Sequence, residues 1–121
     1  MNIRLTAIFA GLMLCGIVLF ATPNERYYQE KFNAEVAHGQ LEVVLPHGRA
    51  DIINDEYAIE VDWARKWVEG IRQCLVYAND TKKKPGLVLI VDKKSVSDIK
   101  KLTKAKMVCW LMDIKLWVVK K

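Results

Sequence analysis

Glu60 and Asp62 alternate along the run Tyr57-Ala58-Ile59-Glu60-Val61-Asp62-Trp63, so on an extended strand both carboxylates project from one face. Asp51 lies on the preceding run, Arg49 to Ile53, and a favourable hairpin register across Asn54-Asp55 sets it beside Glu60. Carboxylates that converge in this way make a hard-oxygen site suited to Mg²⁺ or Mn²⁺. Such an ion lowers the pKa of a bound water and neutralises charge that builds on a phosphate. Lys66, Gln73 and Tyr77 follow at intervals of seven and four residues, along one stripe of a helix with Gly70 between them. An ammonium at Lys66, in the first turn, would orient an attacking water or stabilise a pentacoordinate phosphate. Gln73 and Tyr77 would donate hydrogen bonds to a nucleic-acid backbone or to a metal-bound water. Each feature alone suits a solvated strand face or the wet side of a helix. Their conjunction, in this order, is what points to chemistry.

The elements that must position these groups follow from the hydrophobic periods. Asn24 can cap a helix with Glu25 in its first turn, and Tyr28, Phe32, Val36 and Ala37 continue it at helical spacing until His38-Gly39. Leu41 to Leu45 reads as a strand closed by the turn Pro46-His47-Gly48, Arg49 to Ile53 as a second, and Tyr57 to Trp63 as a third. The period then lengthens. Ala64, Trp67, Val68, Ile71, Leu75 and Ala78 share one side of an amphipathic helix over Ala64 to Ala78. A basic loop, Lys82 to Gly86, leads to Leu87-Val88-Leu89-Ile90-Val91, an uninterrupted apolar run of the kind covered on both faces. Ser95 with Asp98 caps a helix expected to reach Met107, and Ile114 to Val119 closes as a strand. The expected class is α/β, a mixed sheet flanked by helices on both faces, in the order α-β-β-β-α-β-α-β.

At 121 residues the chain has room for one domain. Met1 to Ala21 carries one charge, Arg4, before an apolar run from Leu5 to Phe20, the pattern of a signal peptide or, uncleaved, of a membrane anchor. Residues 24–121 are the domain proper, expected in the periplasm or secreted, or anchored to the inner membrane if the leader stays. A lipoprotein is disfavoured because Leu12-Met13-Leu14 precedes Cys15 without a small residue. Net charge is +5, carried by Lys82-Lys83-Lys84, Lys93-Lys94 and the lysines from Lys100 onward; it suits a polyanion such as nucleic acid or an anionic membrane, and equally a solvated surface. Cys74 and Cys109 could pair or stay as buried thiols, and no Cys/His spacing suggests zinc. The four tryptophans, Trp63, Trp67, Trp110 and Trp117, read as packing residues.

Asp51, then Glu60-Val61-Asp62-Trp63-Ala64-Arg65-Lys66-Trp67, then Gln73-Cys74-Leu75-Val76-Tyr77 resembles the PD-(D/E)XK nuclease superfamily, and the Gln-x-x-x-Tyr element its RecB-type branch. The resemblance covers roughly Asn24 to Asp92. It implies a restriction-endonuclease-like fold and a Mg²⁺-dependent nuclease hydrolysing phosphodiester bonds, with nucleic acid, DNA foremost, as partner. By position Asp51 and Glu60 would be the metal ligands, and Gln73 and Tyr77 the family's helix pair. The family's lysine, two residues after the second acid, is replaced by Asp62. The resemblance then implies either that Lys66 supplies the ammonium from the following helix, or that the site binds metal or nucleic acid without cutting. Ala50 stands where the family often has proline. His47 could approach the site, although a turn histidine is ordinarily exposed, and Glu30 and Glu35 are more simply explained as a solvated helix face.

Overall fold

A computed structural model describes residues 23–121; the expectations for the leader, Met1 to Ala21, lie outside the described residues. Asn24 caps helix α1 (Glu25–Phe32) by accepting the Tyr27 N–H on its side chain. The expected continuation to Ala37 is not α-helical. Asn33–Ala37 is a wider π turn that closes with a His38 N–H to Asn33 carbonyl bond of 2.8 Å. The Asn33 side chain then holds both the N–H and the carbonyl of Gly39, at 2.7 and 3.0 Å, and His38 takes the left-handed conformation. Local side-chain bonding therefore stops the helix, and it leaves Val36 half exposed.

Strands β1 (Gln40–Leu45) and β2 (Gly48–Ile53) form a hairpin. Strand β3 (Tyr57–Trp63) pairs antiparallel with β2 and parallel with β4 (Lys84–Val91), which pairs parallel with β5 (Lys115–Lys120). The sheet is mixed, in the spatial order β1-β2-β3-β4-β5. A single 3₁₀ turn, Ala64–Lys66, joins β3 to α2 (Trp67–Thr81), and α3 (Val96–Leu111) joins β4 to β5. Compared with the sequence reading, α2 begins one turn later and absorbs Asn79 to Thr81, β4 begins at Lys84 within the presumed basic loop, and α3 runs a turn beyond Met107. Lys82, left-handed at the end of α2, confines the loop to a tight reversal.

The sheet is covered on both faces. Leu87, Leu89 and Val91 pack under Ile71 and Cys74 of α2 and under Leu102, Ala105 and Cys109 of α3. Val88 and Ile90 join Ile52, Ile59 and Val61 against Tyr28 and Phe32 of α1. Burying one such Leu, Ile or Val completely contributes about 1.5–3 kcal/mol, so β4 is the spine of the domain. Cys74 and Cys109 are both buried and free. Trp63 and Trp117 pack against the α1-side core and Trp67 against the other, whereas Trp110 is 81% exposed, against expectation. Among the described residues no helix is long and apolar enough to cross a membrane.

Candidate active site

The site begins where a backbone ladder fails. β2 and β3 pair at Ile52–Ile59 and Ile53–Ala58, and the ladder stops there. The next inward N–H, that of Val61, is taken by the Asp51 carboxylate at 2.8 Å instead of by a main-chain carbonyl. Asp51 returns the bond through its own N–H to Glu60 Oε1 at 3.2 Å. Its carbonyl accepts from Gln29 Nε2 at 3.0 Å, on the first helix. Three backbone polar groups at the split thus find side-chain partners, and two of those partners are carboxylates.

β2 parts from β3 here, and the N-terminal ends of α1 and α2 stand on either side. The result is an open cleft of about 830 Å³ whose floor carries Asp51, Glu60 and Asp62. Glu60 and Asp62 are nearly inaccessible, at 4% and 5% exposure. Gly70 makes room for this: a Cβ there would lie 2.8 Å from Leu87 Cδ1 and 3.2 Å from Asp62 Oδ2. The close approach of α2 is what buries Asp62.

Burial without a counter-ion raises all three acids. For Asp62 the cause is first burial, then the negative charge of Glu25, opposed by Lys66, and the carboxyl is pushed up to about 7. Glu60 is raised by burial and then by the charge of Asp51. Asp51 is raised by burial, against the opposing Val61 N–H. Both carboxyls of this pair are thus pushed above the ordinary carboxylate range. Among the described residues, these acids and Glu25 converge without an ion pair to any cation.

Cations do stand at the rim. Arg26 and Arg49 line the cleft and are tied together by Glu42, with nitrogen–oxygen distances of 2.9 and 3.1 Å. Glu42 sits opposite Asp51 in the hairpin with a φ of 54°, strained for a residue with a side chain. Lys66 lines the opposite wall at the end of the 3₁₀ turn, one turn earlier than the helix it was expected to open. It is exposed, it acts on Asp62 through its charge, and among the described residues it makes no ion pair with Asp51, Glu60 or Asp62.

The fold therefore brings together Asp51, Glu60, Asp62, Lys66 and Gln73. Tyr77 stays outside the cleft. It is buried beneath the β1–β2 turn, where the Arg49 backbone N–H lies against its oxygen and where any side chain on Gly48 would strike its hydroxyl. His47 is turned away and bonds Asp80, at 2.6 Å through Nδ1 and 3.0 Å through its backbone. Lys83 and Lys84 bond Asp55 and Glu56 at the other end of β3. Glu30 is an exposed partner of Arg26. Sequence reasoning missed Glu25, Arg26, Gln29, Glu42 and Arg49. The only available signal was Glu25 and Gln29 four apart on one helix face, a spacing too common to single them out.

Hard oxygen donors crowded in a low-dielectric floor suit a divalent cation of the Mg²⁺ or Mn²⁺ kind. Among the described residues no group of three or more His, Cys, Asp and Glu side chains is already closed into a metal cage. Two of the oxygens are already engaged, Asp51 Oδ2 by the Val61 N–H and Glu60 Oε1 by the Asp51 N–H. The donor set itself fits such an ion. Comparison of the chain with known protein families, with curated proteins and with solved structures finds no match in any of them.

Proposed function

We propose that this domain is a divalent-metal-dependent nuclease acting on DNA, built on a restriction-endonuclease-like frame. The observation that carries the reading is the cleft itself: an acidic floor of Asp51, Glu60 and Asp62 with no paired cation, under a basic rim of Arg26, Arg49 and Lys66. A floor of that kind attracts a cation, and a rim of that kind attracts a polyanion.

Asp51 and Glu60 would hold the metal, with Asp62 as a further oxygen donor or as the base that takes a proton from the attacking water. A bound Mg²⁺ or Mn²⁺ would supply Lewis acidity toward a phosphate oxygen and a more acidic water. Arg26 and Arg49, oriented by Glu42, would hold phosphates flanking the scissile one. Lys66 would reach across the mouth to the developing negative charge, and Gln73 would bond the strand from the same wall. Tyr77 would act only indirectly, by holding the hairpin turn at Gly48 and Arg49. In this reading the apolar run from Leu5 to Phe20 supports action outside the cytoplasm, in the periplasm or beyond.

One observation favours a second reading, a catalytically silent member of the same fold that binds nucleic acid or a protein partner. No lysine stands two residues after Glu60, and Lys66 forms no direct ion pair with the acids. Supercoiled plasmid incubated with Mg²⁺ or Mn²⁺ separates the two. Cutting by the native chain that disappears in Glu60→Ala and in Lys66→Ala supports the nuclease. Metal-dependent retention of DNA without cutting supports the silent binder, and absence of both removes the nucleic-acid reading.

A further inference from the structure

Helix α3 carries two apolar faces. The inner one, Leu102, Ala105 and Cys109, is consumed by the core. The outer one has no partner: Val96, Ile99, Thr103, Met107 and Trp110 follow at intervals of three, four, four and three residues, so they form one stripe on the opposite side. Val96 is 70% exposed, Met107 61% and Trp110 81%, with Leu111 beside them at 67%. An isolated exposed apolar residue needs no explanation, but a continuous stripe ending in tryptophan does.

We infer that this outer face of α3 lies on an anionic lipid surface. The flanks decide the occupant. Lys100 and Lys104 run along one border of the stripe and Lys106 along the other, with Lys93 and Lys94 just before the helix; all five are exposed. Apolar residues bordered by lysine, with tryptophan and methionine among them, are what an interfacial helix presents to lipid headgroups. Lysines close to an anionic leaflet are drawn to its negative surface potential. A second copy of the chain is the wrong occupant, because a back-to-back pair would oppose the two sets of lysines. The position of the helix agrees. Pro23, the first described residue, lines a small cleft together with Ser95 and Asp98, which begin α3. The described chain therefore enters the domain, at Pro23, beside the N-terminal end of this helix.

The acidic cleft plays no part in this contact, so its fate leaves the nuclease reading untouched. The test uses the full chain with vesicles containing brominated phospholipids, and compares intrinsic fluorescence with that of Trp110→Phe, a change at an exposed position that leaves the core intact. With vesicles of phosphatidylglycerol and phosphatidylcholine, bromine quenches a component of the native emission that is missing in Trp110→Phe. The quenching drops severalfold in pure phosphatidylcholine and in the double variant Lys100→Glu, Lys104→Glu. Equal quenching in neutral and anionic vesicles, or none attributable to Trp110, overturns the inference. So does cross-linking of Met107→Cys into a dimer on vesicles, which would reveal a second copy on the stripe.

Discussion

β3 has two neighbours, and it treats them differently. Toward β4 it pairs in unbroken parallel register from Tyr57–Lys84 to Trp63–Ile90, and the β4 side chains from Leu87 to Val91 along that seam are apolar and buried. Toward β2 it pairs at Ile52–Ile59 and Ile53–Ala58 and then lets go, filling the gap with Asp51, Glu60 and a bond to Val61 N–H. The parallel seam converts apolar area into stability. The abandoned seam carries buried acids that burden the fold until something positive arrives. One strand thus separates the part that holds the molecule together from the part that has work to do.

The sharpest way to break this comparison is through the abandoned seam. Glu60→Ala or Asp51→Asn should lower metal-dependent plasmid cutting by about 10³-fold or more, the loss of several kcal/mol of charge stabilisation. Retained cutting in either variant would place the chemistry elsewhere. The next effect belongs to the sealed seam. Leu89→Ala, in a fully buried position, should cost about 2–5 kcal/mol in denaturant unfolding while the protein keeps its thermal response to Mg²⁺.

A smaller effect has the opposite sign. Glu60→Gln in metal-free buffer at pH 8 should stabilise the domain by about 1–2 kcal/mol, since the folded state then no longer has to take up a proton that the unfolded chain has released. The same relation makes stability depend on pH. Folded Asp62 holds its proton up to about 7 whereas an ordinary carboxyl releases it near 3.8. Over that window the folded state binds more protons than the unfolded chain, so stability falls as pH rises and levels off above it. Without metal, the thermal midpoint should therefore be higher at pH 5 than at pH 8. Asp62→Asn should flatten the profile, and Mg²⁺ should raise the pH 8 value most. A profile that rises with pH would mean the acids already have cationic partners.

The smallest effect concerns Lys82, Lys83 and Lys84. Lys84 pairs with Tyr57, five residues along the strand from Asp62, or about 16 Å at the usual rise of a strand. That exceeds the Debye length in physiological salt, so replacing these lysines with alanine should change cutting by less than about threefold. The basic groups that line the cleft itself are Arg26, Arg49 and Lys66.

The strand periods made most of the sheet legible: Tyr57 to Trp63 alternates as written, and the solid apolar run in β4 announced burial on both faces. The π turn after Phe32 was not legible, because it depends on the Asn33 side chain closing locally onto Gly39, a bond that hydrophobic periodicity does not register. In the cleft, Asp51, Glu60 and Asp62 were readable from alternation and a short turn. Glu25 and Gln29 were not, since nothing local says that the first helix will end over a gap between two later strands. Tyr77 is a different case: it follows Gln73 by one turn of the helix as its spacing says, but the helix carries it beneath the hairpin, outside the lining of the cleft.

Gly70 bears no charge, donates nothing from a side chain and faces no solvent, yet it sets how near the second helix can come to the strands. Alanine in its place would improve intrinsic helicity by about 1 kcal/mol, a gain that natural variation would ordinarily accept. Here that one methyl would have to displace Leu87 and would crowd an acidic oxygen, lifting the helix off its bed. Substitution in this domain is thus constrained at a residue that no inventory of reactive groups would include.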